Sequence, residues 1–315
     1  MKNVVVIGGG TGLSTLLRGL KLFPMNITAI VTVADDGASS GRLRREFDTP
    51  AVGDLRNVLV SLSEAEEPLV EDLLQYRFST YSDLDKHALG NLVLTAMYNI
   101  TGSLTKSLEA LSKIFNIKGK VLPITEDKAV LVAHTTDGKT IEGESKITKA
   151  GKHIKKIEYK NKVRVTPQVL EAVNKADLII VGIGSLYTSI IPNLLPREMK
   201  RALMQAKAKK MYICNIMSEH GETDDFNVSD CVKQVNKYVG KDFIDVVLAN
   251  KKKVPDEILE LYKNEKAKQI MLDKEEVKKM GVELIASDLL TITNNQARHD
   301  YVKTALDVFT YLTKE

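Results

Sequence analysis

Glycines and acids recur in this chain where short apolar runs give way to polar residues. Gly8-Gly9-Gly10-Thr11-Gly12 follows the apolar run Val4 to Ile7. Glycines in such a place let the backbone turn and bring N–H groups to a ligand with no Cβ in the way. The N-terminus of a following helix adds partial positive charge, worth roughly 0.3–1 kcal/mol to a nearby anion. Gly9, Gly10, Thr11 and Gly12 are therefore candidate phosphate contacts. The spacing is not a strict G-x-G-x-x-G, because Leu13 stands where the third glycine would fall, and no Gly-Lys-Ser/Thr follows to make a P-loop. A tight strand-to-helix turn is the plainer reading of the glycines. Their position after the first strand favours phosphate or nucleotide contact.

Asp35 and Asp36 end a second apolar run and lead into Gly37-Ala38-Ser39-Ser40-Gly41-Arg42. One acid at that position holds a ribose hydroxyl in dehydrogenases. Two acids followed by small residues suit a wider role: Ser39 and Ser40 wrap an anion, Arg42 pairs with phosphate, and an acid holds Mg²⁺ directly or through water. Gly53-Asp54-Leu55-Arg56-Asn57 offers another acid, base and amide at the start of a helix, where Asp54 reads equally well as an N-cap. His87 and Asn91 are four apart and share a face if helical; a lone histidine is more often a buried hydrogen-bonding residue than an acid–base catalyst. Gly184 and Ser185 sit in a second glycine loop, and Asn215 and Gly221-Glu222-Thr223 extend the same edge. Tyr262-Lys263 and Arg298-His299-Asp300 combine stacking and cationic groups, suited to a base and a diphosphate or to ordinary surface. No His/Cys metal cluster, G-x-S-x-G elbow or H-E-x-x-H is present, and spacing names no nucleophile–base pair.

The elements that must hold these residues read as a wound α/β pattern. Val4 to Ile7 is a strand buried on both faces, followed by a helix with Leu13, Leu16, Leu17 and Leu20 on one side and a strand from Ile27 to Val33. That is a right-handed βαβ unit. A long loop is expected from Gly37 to Gly53, then helices almost to residue 115. Residues from about 121 to 160 read as a β-rich insertion of short strands, with Asp137-Gly138 as a hairpin turn. Buried strands resume at Leu178–Val181, Met211–Cys214 and Ile244–Leu248, and a helix covers about Asp300 to Thr313. Residues 1–315 thus form a single Rossmann-like, doubly wound domain with a mostly parallel sheet and a small β-rich extension.

Composition narrows the function classes. Hydrophobic residues make up 43% and charged residues 27%, an ordinary globular balance. No apolar run approaches the ~20 residues of a membrane span, and the start does not read as a signal peptide. With only Cys214 and Cys231 there is no disulfide framework, which suits a reducing cytoplasm. The net charge of +4, without tryptophan or a long basic stripe, argues against nucleic-acid binding. Lys251-Lys252-Lys253 reads as a solvated face.

Taken in order, the segments Ile7–Gly12, Asp35–Arg44, Gly53–Asn57, His87–Leu92, Gly184–Asn193, Asn215–Thr223 and Arg298-His299-Asp300 resemble the bacterial gluconeogenesis-factor proteins, relatives of 2-phospho-L-lactate transferase from coenzyme F420 synthesis. The resemblance runs from residue 3 to nearly the last residue. It implies a Rossmann-like fold and a cytoplasmic role in growth on gluconeogenic carbon, cell shape and cell-wall precursor supply. It also implies binding of a UDP-sugar such as UDP-N-acetylglucosamine through Tyr262 and Arg298, with a cell-wall or carbon-pathway enzyme as partner. The transferase relatives imply Mg²⁺ held by Asp36 and Asp54. Departures from the family pattern fall in loops: Ala38 where glycine is common, Ala51-Val52 where proline is common, Ile183 for proline, and Ser218-Glu219-His220 for Thr-Gln-Pro. The reading is a UDP-sugar-binding regulator. The rival is an Mg²⁺-dependent transferase of a phosphorylated small group, and an NAD-dependent dehydrogenase is third. No catalytic residue, preferred sugar or oligomeric state follows, so a homo-oligomer stays open.

Overall fold

In a computed structural model describing residues 1–64 and 69–314, twelve strands alternate with helices. In chain order they are β1 (Lys2–Gly8), β2 (Met25–Val31), β3 (Lys120–Pro123), β4 (Leu131–Thr135), β5 (Thr140–Glu142), β6 (Ile154–Tyr159), β7 (Leu178–Val181), β8 (Lys209–Ile213), β9 (Val246–Asn250), β10 (Glu283–Ser287), β11 (Leu290–Thr293) and β12 (Gln296–His299). Seven of them form one sheet in the order β10-β9-β8-β7-β1-β2-β3, every pairing parallel. The order reverses between β1 and β7. There the helices on either side depart to opposite faces and leave a crevice at the strands' carboxyl ends.

The central strands form for the reason their composition suggests. Val4 to Ile7 and Leu178 to Val181 are buried on both faces, so each is apolar throughout instead of alternating. The helix Gly10–Leu20 buries Leu13, Leu16, Leu17 and Leu20 on the sheet, and its outer side packs on the helix Tyr301–Lys314. That crossing is close: a Cβ on Gly19 would stand 2.1 Å from the Tyr301 carbonyl oxygen.

Strands β4, β5 and β6 form a separate antiparallel sheet in the order β5-β4-β6. The Asp137-Gly138 turn joins the first two, with Gly138 at φ +83°. β3, inside the stretch expected to be insertion, joins the parallel sheet beside β2, so the antiparallel strands start at Leu131. Three local expectations are corrected. The segment from Gly37 to Gly53 is no continuous loop, because Ala38–Phe47 is helical. Its serines and glycine are poor helix formers, yet Ser39, Ser40, Gly41 and Leu43 are buried against neighbouring elements, and packing overrides propensity. The helix Glu144–Ala150 interrupts the insertion's strands. His87 precedes the helix Leu89–Thr101 and so does not share its face with Asn91.

Candidate functional site

The first glycine loop stands at the switch point. Gly9 is extended, Gly10 has φ +66°, and the helix beginning there has no side-chain cap. Its leading N–H groups are therefore open to other acceptors. One of them is used within the chain: the Asp54 carboxylate accepts from the Gly10 N–H. Asp54 lies in the first turn of the helix Gly53–Leu62, whose N-cap residue is Val52. It is thus a ligand of the glycine loop and not the cap that its sequence position suggested.

The glycines answer to different neighbours. A Cβ on Gly9 would lie 2.8 Å from Asp54 Oδ2, and one on Gly12 would lie 2.8 Å from the Ile183 carbonyl oxygen. Gly12 therefore lets the first helix seat against the second glycine loop. That loop is braced from β8: Asn215 Nδ2 donates to the Gly184 carbonyl at 2.8 Å, and Gly184 N–H donates to Asn215 Oδ1 at 3.3 Å. Asn193 Nδ2 donates to the carbonyls of Gly8 and Ser189 at 2.9 and 2.8 Å, holding the two loops in register.

A crevice of about 660 Å³ opens above these loops. Thr11 and Gly12 line one side, Gly184, Ser185 and Asn215 the floor, and Tyr262 and Arg298 the far wall. The wall is the hairpin β11–β12, turned by Asn294 and Asn295 with φ +50° and +60°. It is pinned in place: Ala297 N–H donates to the Tyr262 hydroxyl at 3.0 Å, and His299 Nε2 lies 3.1 Å from the Cys214 carbonyl oxygen. Burial pushes the His299 imidazole down to about 4, so it is neutral at pH 7. Arg298 is exposed, bonded to Gln296 Oε1 at 2.5 Å, and pairs with no carboxylate among the described residues.

A second cluster gathers on the β2 side of the same loop. Ser39 Oγ lies 2.9 Å from His87 Nδ1 and accepts from Asn91 Nδ2 at 3.1 Å. Burial, then the nearby Arg42, holds the His87 pKa below its usual value. The buried Asn91 Oδ1 has no partner. Ser40 is buried beside Gly53 and Asp35. Arg42 donates to the carbonyls of Asp83 and Asp85, and Asn57 Oδ1 accepts from Arg56 at 2.5 Å, so these two side chains are engaged within the protein.

The acids of this cluster crowd one another. Burial, and then the charge of Asp35, pushes Asp54 up to about 7. Glu144 is likewise pushed up to about 7, by burial and then by Asp35, Asp54 and Asp36. Asp36 Oδ1 accepts from the Ser145 N–H at 2.8 Å, anchoring the insertion's helix over the site. On the other side Glu222 accepts from the Tyr187 N–H at 2.8 Å and the Thr188 hydroxyl at 3.1 Å; burial, then Glu219, pushes it up to about 8. Among the described residues no three acids, histidines or cysteines are grouped to hold a metal. A cation here would take two carboxylates, Asp35 beside Asp54, and complete its shell from phosphate and water, as Mg²⁺ commonly does, while Asp36 is held by the Ser145 N–H. Sequence pattern marked Asp35 and Glu222, whereas it gave Glu144 and Asn193 no role in the site. Asn193 falls within a segment that carries the family resemblance; Glu144 has no sequence signal.

This architecture defines the class: a Rossmann-like α/β protein with a ligand crevice at its topological switch point. A family model described as 2-phospho-L-lactate transferase CofD matches residues 4–290. The gluconeogenesis factor of Bacillus subtilis is 48% identical over 303 residues, covering 96% of this chain and 95% of that protein. The gluconeogenesis factor of Halalkalibacterium halodurans is 46% identical over 303 residues, covering 96% and 94%. A crystal structure of a Bacillus halodurans protein superposes with a TM-score of 0.95 at 45% identity, covering 98% of this chain and 99% of that one. The chain belongs to the CofD-related family, among its bacterial gluconeogenesis factors.

Proposed function

We propose that this chain is a cytoplasmic regulator that binds a UDP-sugar, UDP-N-acetylglucosamine foremost, and adjusts gluconeogenic growth, cell shape and cell-wall precursor supply through a partner enzyme. One observation carries the ligand assignment. Tyr262 and Arg298, far along the sequence, line the same crevice as Thr11 and Gly12 near its start. The diphosphate would meet the N-terminus of the helix Gly10–Leu20 and the Arg298 guanidinium, a planar fork suited to phosphate. Tyr262 would lie against the base or ribose. The sugar would extend toward the acids, amides and serines around Asp54, Ser39 and Asn91, whose oxygens and nitrogens suit sugar hydroxyls.

Titration calorimetry with UDP-N-acetylglucosamine, other UDP-sugars, GDP and NAD tests this reading. Arg298→Ala should weaken UDP-N-acetylglucosamine binding by about 1.5–3 kcal/mol, roughly ten- to hundredfold. Tyr262→Ala should weaken it too, and Lys252→Ala should not. Wild-type affinity in both folded site variants sinks the assignment.

The crowded Asp35–Asp54 pair favours one second reading, a transferase of a phosphorylated group. Mg²⁺ there would neutralise charge on the donor's phosphates, and Asp54 would hold it while continuing to accept from the Gly10 N–H. Turnover that requires Mg²⁺ would establish it, and metal-independent binding without turnover would leave the regulator.

A further inference from the structure

Apart from the switch-point crevice and sharing no lining residue with it, a concavity of about 850 Å³ lies between β6, the residues just after it, and the helices Arg197–Gln205 and Val228–Val239. Eight cationic side chains line it. Lys156 and Lys160 are paired, with Glu158 and Glu142. Lys155, Lys162, Arg197, Lys200, Arg201 and Lys237 form no ion pair among the described residues. Against them stands one acid without a cation, Glu198, whose carboxylate accepts from the Val165 N–H at 3.2 Å.

The charges converge from separate elements. Lys155 and Lys162 come from β6 and the loop beyond it, Lys237 from the end of the helix Val228–Val239, and Arg197, Lys200 and Arg201 from the first turns of the helix Arg197–Gln205. Arg197 and Arg201 are four apart and so share one helix face. The helix Arg197–Gln205 has Pro196 as its N-cap and no side-chain cap, adding open N–H groups to the same rim. The floor is apolar: Ile157 and Val163 are buried there, and the Tyr238 hydroxyl is already engaged by the Ile157 N–H at 2.9 Å. Lys200 is half-buried, and burial and the Lys156 charge hold its ammonium below the usual pKa. Among the described residues Glu198 is the one unpaired acid in this lining, against six unpaired cations.

We propose that this concavity is a second binding site, for a compact small molecule carrying two or more phosphate groups. Its volume lies within the range of small-molecule sites, about 300–1,000 Å³. Charge arranged around a hollow fits a compact oligophosphate better than a flat membrane or a duplex, which ask for a broad face or a stripe. The two arginines supply forks for bidentate phosphate contacts, and the lysines supply point charges around them. The site is independent of the UDP-sugar reading.

Inorganic tripolyphosphate is the probe. Titrated into the protein, it should bind, with one site per chain remaining in Arg298→Ala. Lys200→Gln combined with Arg201→Gln should weaken it by about tenfold or more, the loss of one or two charge-assisted contacts. Lys200 is half-buried and Arg201 exposed, and circular dichroism verifies the fold. Arg298→Ala removes the phosphate contact of the switch-point crevice and should still show the tripolyphosphate binding that the double variant loses. Three results overturn the proposal: no binding, binding lost in Arg298→Ala but kept in the double variant, or tighter binding of an oligoglutamate peptide, which would mark a protein-docking surface instead.

Discussion

At Gly10 the backbone is left-handed and the nearest atom to an added Cβ would be Ser189 Oγ at 3.8 Å, whereas Gly9 and Gly12 face immediate clashes with Asp54, Thr32 and Ile183. Only Gly10 therefore keeps the loop's space open toward a ligand; the other two glycines serve packing inside the protein. The sequence revealed that glycines were needed but not these separate reasons, because each depends on what a distant segment brings to the loop. Asp54 shows the same limit. It reads as a cap locally, yet its carboxylate meets the Gly10 N–H and the charge of Asp35. Its folded pKa, pushed up to about 7, lies above the value near 3.9 of an unfolded chain. The folded protein thus holds a proton that the unfolded chain releases between those values. The site's contribution to stability is full below about pH 4 and is lost as pH rises through about 7. Asp54→Asn carries no such charge and can still accept from the Gly10 N–H. Relative to wild type, the variant should gain on the order of 1–3 kcal/mol between about pH 5 and about pH 7.5 in urea unfolding. A pH-independent difference would mean that Asp54 is ionised throughout.

Elements were legible in proportion to how continuously apolar they are. β1, β2 and β7 are buried on both faces, so their residue types alone mark them. The helix Ala38–Phe47 was hidden because it is held by burial of serines and glycine, and a Cβ on Gly41 would lie 1.9 Å from the Asp36 carbonyl oxygen. Ala38 starts it at φ +36°. The hairpin β11–β12 was hidden too: its Asn294-Asn295 turn lacks glycine, and its strands have few buried residues. That hairpin carries Arg298, so a wall of the crevice could not be drawn from periodicity. The contact of the helices Gly10–Leu20 and Tyr301–Lys314 is equally invisible in sequence and equally tight. Gly19→Ala should push them apart and destabilise the protein by about 1–3 kcal/mol, the usual cost of overpacking. Equilibrium urea denaturation measures it; an unchanged midpoint would mean the helices slide without cost.

For the molecule as a whole, the doubly wound, mostly parallel class followed from alternating strands and helices, the strand order and its switch point did not, and the family resemblance agreed with the matched relatives. The site was legible as a set of segments and not as a shape. Thr11, Gly12, Gly184, Ser185, Asn215, Tyr262 and Arg298 share one crevice, while Asp36, Ser39, Ser40, Asp54 and Asn91 lie in the adjoining cluster; only the topology could divide them so. The seating of the helix Tyr301–Lys314 on the helix Gly10–Leu20 also governs the order in which the protein can assemble. Contacts that join opposite ends of a chain wait on the closure of very large loops, which slows their formation. The βαβ unit of β1 and β2 closes a short loop and can form early, but the crevice wall cannot stand until the last helix docks. In refolding from urea, amides of β1 and β2 should gain protection from hydrogen exchange before UDP-N-acetylglucosamine binding returns. Simultaneous recovery would show that the two ends meet in the first organised state, and Gly19→Ala should lengthen the interval by delaying the final docking.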